Sequence, residues 1–93
     1  MLFVIHALDA AGADREPFYA EHRAHQDNGA AFGVDVVMGG PLVSDDGQTT
    51  LGSLIMVDAK DRAAADAFSR ADPFRRNGVW DRVHVHAYLK RRG

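Results

Sequence analysis

The run Leu2-Phe3-Val4-Ile5-His6-Ala7-Leu8 constrains the fold more than any other stretch of the chain. It reads as a strand, and its apolar residues do not simply alternate with polar ones. Such a strand has apolar side chains on both faces. Both faces then need cover, which suits a central strand better than an edge. The run is broken by His6 and ended by Asp9, far short of the roughly 20 residues that cross a bilayer, and no basic lead precedes it. A cytoplasmic protein with no membrane partner is the expectation.

At 93 residues, a single domain spanning 1–93 is expected. Its core must be small, and small domains often complete a core by pairing with a second copy, so a homodimer is expected too. The formal charge of −2, with both signs interspersed, gives no basic footprint and argues against a nucleic-acid partner. Lys90-Arg91-Arg92 reads as a solvated tail. There is no cysteine, which excludes disulfides, a thiolate nucleophile and thiolate-held metal.

Along the chain, Asp14 and Pro17 mark the start of a helix expected over about Arg15–Phe32, which Gly29 weakens and Gly33 ends. A second strand is expected at Val34–Met38. Gly39-Gly40-Pro41 should break or kink it before Leu42-Val43 continues on the far side. Ser44–Gln48 is a turn, with Asp46-Gly47 as its hairpin signal, and a third strand follows at Thr50–Val57. Lys60–Arg70 reads as a second helix with a narrow stripe of Ala64, Ala65, Phe68 and Ala71. Asp72-Pro73 should stop it, because the residue before proline avoids helical geometry. A short helical turn or loop over Phe74–Val79 leads to a last strand, Arg82–Leu89. There Val83, Val85, Ala87 and Leu89 alternate with Arg82, His84, His86 and Tyr88. The order β-α-β-β-α-β predicts an α+β, ferredoxin-like domain with an antiparallel sheet, helices on one face, and a second subunit on the other.

Two constellations of histidine stand out. In the first helix Phe18, His22, His25, Gly29 and Phe32 fall within about 80° of one another at helical spacing. Two imidazoles on a face that should be apolar are an expense that points to a site. The second set is His6, His84 and His86, on first and last strands that this topology makes neighbours. Three imidazoles suffice for zinc, so a metal-dependent enzyme is an alternative. Polar residues on the alternating face of a rim or interface strand are the plainer account, and no metal site is assigned. Gly39-Gly40-Pro41 is not a phosphate loop, since no helix N-terminus follows it.

The N-terminal Met-Leu-Phe-Val strand, a histidine in the first helix, Gly39-Gly40-Pro41-Leu42 with Asp45-Asp46-Gly47, Gly52-Ser53, Ala71-Asp72-Pro73-Phe74 and Gly78-Val79 occur in this order. Together they resemble the YciI-like family, also called the YCII-related domain. The resemblance covers nearly the whole chain. It implies a dimeric α+β barrel with a histidine–aspartate pair in a cleft.

Carried over residue by residue, the resemblance gives His25 as the histidine, fifteen residues before Gly40, and Asp72 as the aspartate. His22, Gly40, Pro41, Ser53 and Phe74 would contact substrate. His22 stands where the family usually has arginine, Gln26-Asp27-Asn28 replaces residues that are usually apolar, and Ala87-Tyr88 replaces a usual Pro-Trp. The implied activity is proton transfer without a cofactor on a phenolic or quinone-like small molecule. The best-defined example in such families is dehydrochlorination of a chlorinated hydroxyhydroquinone in aromatic degradation. A non-catalytic domain that binds or senses a small ligand in the same cleft is the other reading.

Overall fold

A computed structural model describes residues 1–93. Four strands, β1 (Leu2–Asp9), β2 (Val34–Val43), β3 (Thr50–Ala59) and β4 (Trp80–Tyr88), form one sheet in the order β2-β3-β1-β4. Every neighbouring pair is antiparallel. The apolar run of β1 lies in the interior of the sheet, paired to β3 on one side and β4 on the other. The chain thus has the expected ferredoxin-like α+β fold, and its first and last strands are neighbours.

Three helices, α1 (Tyr19–Asp27), α2 (Arg62–Ala71) and the single turn α3 (Pro73–Arg76), complete the fold. Alternation in the strands sends Phe3, Ile5 and Ala7 of β1 and Ile55, Val57 and Ala59 of β3 inward. There they pack with Ala64, Ala65 and Phe68 of α2, Phe74 of α3, and Val34, Val79 and Trp80. No helix is long and apolar enough to cross a membrane.

The first helix departs from the expected single span of Arg15–Phe32. It is a 3-10 turn at Glu16–Phe18, then α1, then a second 3-10 turn at Gly29–Phe32. Gly29 lies so close to the start of β2 that a Cβ there would sit 2.7 Å from the Val34 carbonyl oxygen. The chain leaves α geometry to make that approach, and Gly33, at φ +70°, turns it into the strand. Asp14 does not cap α1; its carboxylate accepts from the Glu16 N–H at 3.1 Å, ahead of Pro17 in the first 3-10 turn.

The second correction concerns Gly39-Gly40-Pro41, which neither breaks nor ends a strand. Strand β2 runs through all three, with Gly39 opposite Ile55, Gly40 opposite Leu54 and Pro41 opposite Ser53. Proline is tolerated because β2 is an edge strand, where its missing N–H forfeits no ladder bond on the open side. The pairing register shifts instead at Val36/Met38 and Leu42/Val43, on either side of this stretch. Helix α2 begins two residues later than expected, where the Asp61 carboxylate accepts from the Ala64 N–H at 2.9 Å. Asp72 then leaves helical geometry at ψ 128°, and Pro73 opens α3 as its first residue.

Candidate active site

Asp72 is the only buried carboxylate, at 1% exposed, and a charge so placed needs donors. It has three. Its Oδ1 accepts from the Phe74 N–H at 2.9 Å, capping α3. Gln26 Nε2 donates to Oδ2 at 2.9 Å, and His22 Nδ1 lies 2.7 Å from Oδ1. His22 and Gln26 are four residues apart on α1, so one helix face delivers both. The Asp-Pro step places the carboxylate where α2 ends and α1 crosses.

The imidazole of His22 is held by more than the carboxylate. Its ring stacks on Phe74 with centroids 3.9 Å apart and planes within 5°, and meets Trp80 edge-on at 5.9 Å. A carboxylate can only accept, so Nδ1 carries a proton toward Asp72, and Nε2 has no protein partner. The indole Nε1 of Trp80 is buried without an acceptor.

This geometry corrects the expected pairing of Asp72 with His25. His25 Nε2 donates to the Phe68 carbonyl at 2.7 Å, and its ring stacks on Phe68 at 4.4 Å and meets Phe32 edge-on at 5.3 Å. Three residues of helix turn the side chain by about 60°. That rotation directs His25 to the body of α2, while His22 reaches the residue beyond its end. A count along the chain to Gly40-Pro41 measures separation in sequence and carries no azimuth.

Beside the dyad lies a cavity of about 650 Å³, lined by His22 and Gln26 from α1, Ser53 from β3, and Gly40 and Pro41 from β2. Four of the expected contact residues therefore meet around one space. Phe74 serves from behind, as the surface on which His22 rests, and His25 does not line the cavity.

Three residues missed in the sequence complete the cleft: Asp9, Arg15 and Gln26. Arg15 grips Asp9 through two bonds, Nε to Oδ2 at 2.7 Å and Nη2 to Oδ1 at 2.8 Å. Its Nη2 also donates to the Gly52 carbonyl at 2.7 Å and to Ser53 Oγ at 3.0 Å, and its Cζ lies 4.8 Å from the Phe74 ring centre. Asp9 reads in the sequence as a strand end and Arg15 as a helix start. Only the four-residue step from His22 to Gln26 was a usable signal.

His6, His84 and His86 share the opposite face of the sheet, with His6 directly across from His84 and the rings of His84 and His86 6.2 Å apart. No set of three or more His, Asp or Glu side chains converges in a way that could hold a metal ion.

The profile of the YCII-related domain matches residues 1–88. No curated relative matches the chain. Among solved structures, the chain is similar to 5-chloro-2-hydroxyhydroquinone dehydrochlorinase from Burkholderia phenoliruptrix AC1100, in complex with 2,5-dihydroxybenzoquinone. The two share 26% identity and superpose with a TM-score of 0.82, over 96% of this chain and 94% of that one.

Proposed function

The chain belongs to the YCII-related domain family, and from that premise we infer that it is a cofactor-independent acid–base enzyme of the lyase type acting on a small phenolic or quinone-like ring. His22 and Asp72 form its dyad. The observation that carries this reading is the 2.7 Å contact of His22 Nδ1 with buried Asp72, in a ring that also lines a cavity. A carboxylate on one nitrogen fixes the tautomer and balances the charge that the ring gains when the other nitrogen accepts a proton.

Dehydrochlorination of 5-chloro-2-hydroxyhydroquinone, the reaction of the similar structure, suits such a dyad. Chloride departs from a saturated carbon, so the chlorine-bearing carbon must first gain a proton. His22 Nε2 takes a proton from one ring hydroxyl, the freed electron pair forms a carbonyl, and the imidazolium gives that proton to the ring carbon bearing chlorine, which restores the neutral imidazole. Loss of a second hydroxyl proton to His22 then forms another carbonyl. The ring π bonds shift, and the electrons of the C–Cl bond leave with chloride. The net loss is HCl, and no external oxidant takes part. The absence of cysteine favours the same class, since a quinone product adds readily to thiols and this chain offers none.

The test is chloride release from 5-chloro-2-hydroxyhydroquinone under anaerobic conditions, followed alongside quinone absorbance. Turnover that disappears in His22→Gln and survives in His25→Gln supports the dyad. Turnover indifferent to His22 overturns it, and tight binding of the ring without chloride release would mark a sensing domain instead.

A further inference from the structure

Gln26 is held at one end of its amide only, and its partner fixes which end. A carboxylate accepts and never donates, so Nε2 makes the 2.9 Å contact with Asp72 Oδ2, and Oε1 is turned away from it. Trp80 Nε1 is the one buried side-chain nitrogen or oxygen that lacks a partner. Gln26 Oε1 and His22 Nε2 have no protein partner either, and both residues are half-buried, so both atoms are open to solvent. Both residues line the cavity. Four residues apart on α1, their Cβ atoms are about 5–6 Å from each other at helical spacing. The side chains converge from there, because each is bound to one oxygen of the same carboxylate, His22 to Oδ1 and Gln26 to Oδ2. Their far atoms therefore stand side by side at the cavity, on a carboxylate that the Phe74 N–H also holds.

We propose that Gln26 Oε1 accepts a hydrogen bond from the ring hydroxyl next to the one that His22 deprotonates, which makes Gln26 a specificity residue. This rests on the function proposed above and narrows its substrate class to rings with neighbouring hydroxyls, as in catechol. An amide oxygen accepts and cannot donate, so that position takes a hydroxyl and refuses a bare quinone oxygen. Neighbouring hydroxyls leave the same edge of a ring and can meet two acceptors that stand side by side. Opposed hydroxyls diverge, and only one of them can. The second bond also fixes the rotation of the ring in its own plane, so one chosen hydroxyl is presented to His22 Nε2. 5-Chloro-2-hydroxyhydroquinone carries such a pair, its 2-hydroxyl beside one of the hydroquinone oxygens.

The experiment compares two probes of equal composition, catechol with neighbouring hydroxyls and hydroquinone with opposed ones, by equilibrium binding to wild type, Gln26→Lys and Gln26→Met. Wild type is expected to bind catechol about tenfold more tightly, the worth of one well-made hydrogen bond. The two variants separate the ends of the amide. Lysine can still donate to Asp72 but has no acceptor, whereas methionine has neither. Both are expected to erase the preference by weakening catechol alone, and only Gln26→Met is expected to melt lower, with circular dichroism confirming that each is folded. A wild type without the preference, or a preference that Gln26→Lys keeps, overturns the proposal. Equal weakening of both probes also overturns it, because Gln26 would then act only through Asp72. The outcome is separable from that of the dyad. A Gln26-dependent preference in a protein that releases no chloride upholds the specificity role and rejects the reaction. Chloride release that needs His22, with no such preference, rejects the specificity role alone.

Discussion

One helical turn separates an imidazole that lines the cleft from one that props up a helix, and the two respond to mutation in different currencies. His22→Gln is expected to lower kcat by about 10²–10⁴-fold, the usual worth of a positioned general base, with little change in melting temperature because glutamine can still donate to Asp72. His25→Ala is expected to leave kcat within a few-fold and to cost about 1–3 kcal/mol of stability, since it strips the Phe68 carbonyl of its donor and removes a stacked ring. Steady-state kinetics and a denaturant melt on both variants check the pair. At this scale the sequence was half legible. Asp72 was found through its resemblance to the family's Asp-Pro-aromatic motif, since Asp-Pro by itself marks only the end of a helix. Choosing between His22 and His25 required the azimuth of α1 against α2, which depends on tertiary packing. Arg15 and Asp9 were illegible because each also has an ordinary role at the end of an element.

The elements show the same division between local chemistry and packing. Gly52 looked like half of a family motif, yet its physical reason lies in the sheet. A Cβ there would collide with the Ala7 carbonyl of β1. Gly52→Ala is expected to destabilise by about 3 kcal/mol, at the upper end for overpacking, and to disturb Ser53 and the Arg15 bond beside it. A denaturant titration measures the first effect and chloride release the second. The β2–β3 turn gives a prediction in pH. The Ser44 hydroxyl, first, and the Gln48 N–H hold the Asp46 carboxyl below its ordinary value of 3.8. A carboxyl whose value is lower in the folded state adds stability above the unfolded value. That contribution fades as pH falls through the lowered one. The stability gap between wild type and Asp46→Asn should therefore be full at neutral pH and shrink in acid below 3.8. Paired melts across that range test it, and a gap independent of pH would count against it. Strand β2 shows where local reading fails, because Gly-Gly-Pro breaks an isolated strand but not one held at the edge of a sheet.

At the scale of the whole molecule, β1 was read as a strand needing cover on both faces, and the helices cover only one. The opposite face presents Leu2, Val4 and Leu8 of β1 and Leu54 and Met56 of β3, all half-buried, together with Met38, which is 58% exposed. Cross-strand register makes these one surface: Val4 lies opposite Met56, and Met56 opposite Met38. His6, His84, His86 and Tyr88 border it, which is the arrangement of an apolar centre with a polar rim that interfaces adopt. The topology was legible because each element carried its own period and punctuation. The missing cover was legible only as a deficit, since a second copy leaves no mark in the chain beyond the surface it would bury. The expected state is a homodimer packed sheet to sheet, in which each copy supplies the cover that the other lacks. Sedimentation equilibrium should find twice the chain mass of 10.1 kDa. Val4→Asp or Met56→Glu should halve the particle mass, because each would bury a charge without a partner at the centre of the interface. The cleft of His22 opens on the helical side of the sheet, so a folded monomeric variant keeps its lining and should still release chloride from 5-chloro-2-hydroxyhydroquinone. A wild-type protein that sediments as a monomer rejects the dimer. A monomeric variant that has lost chloride release while staying folded would show instead that the second copy helps to shape the cleft.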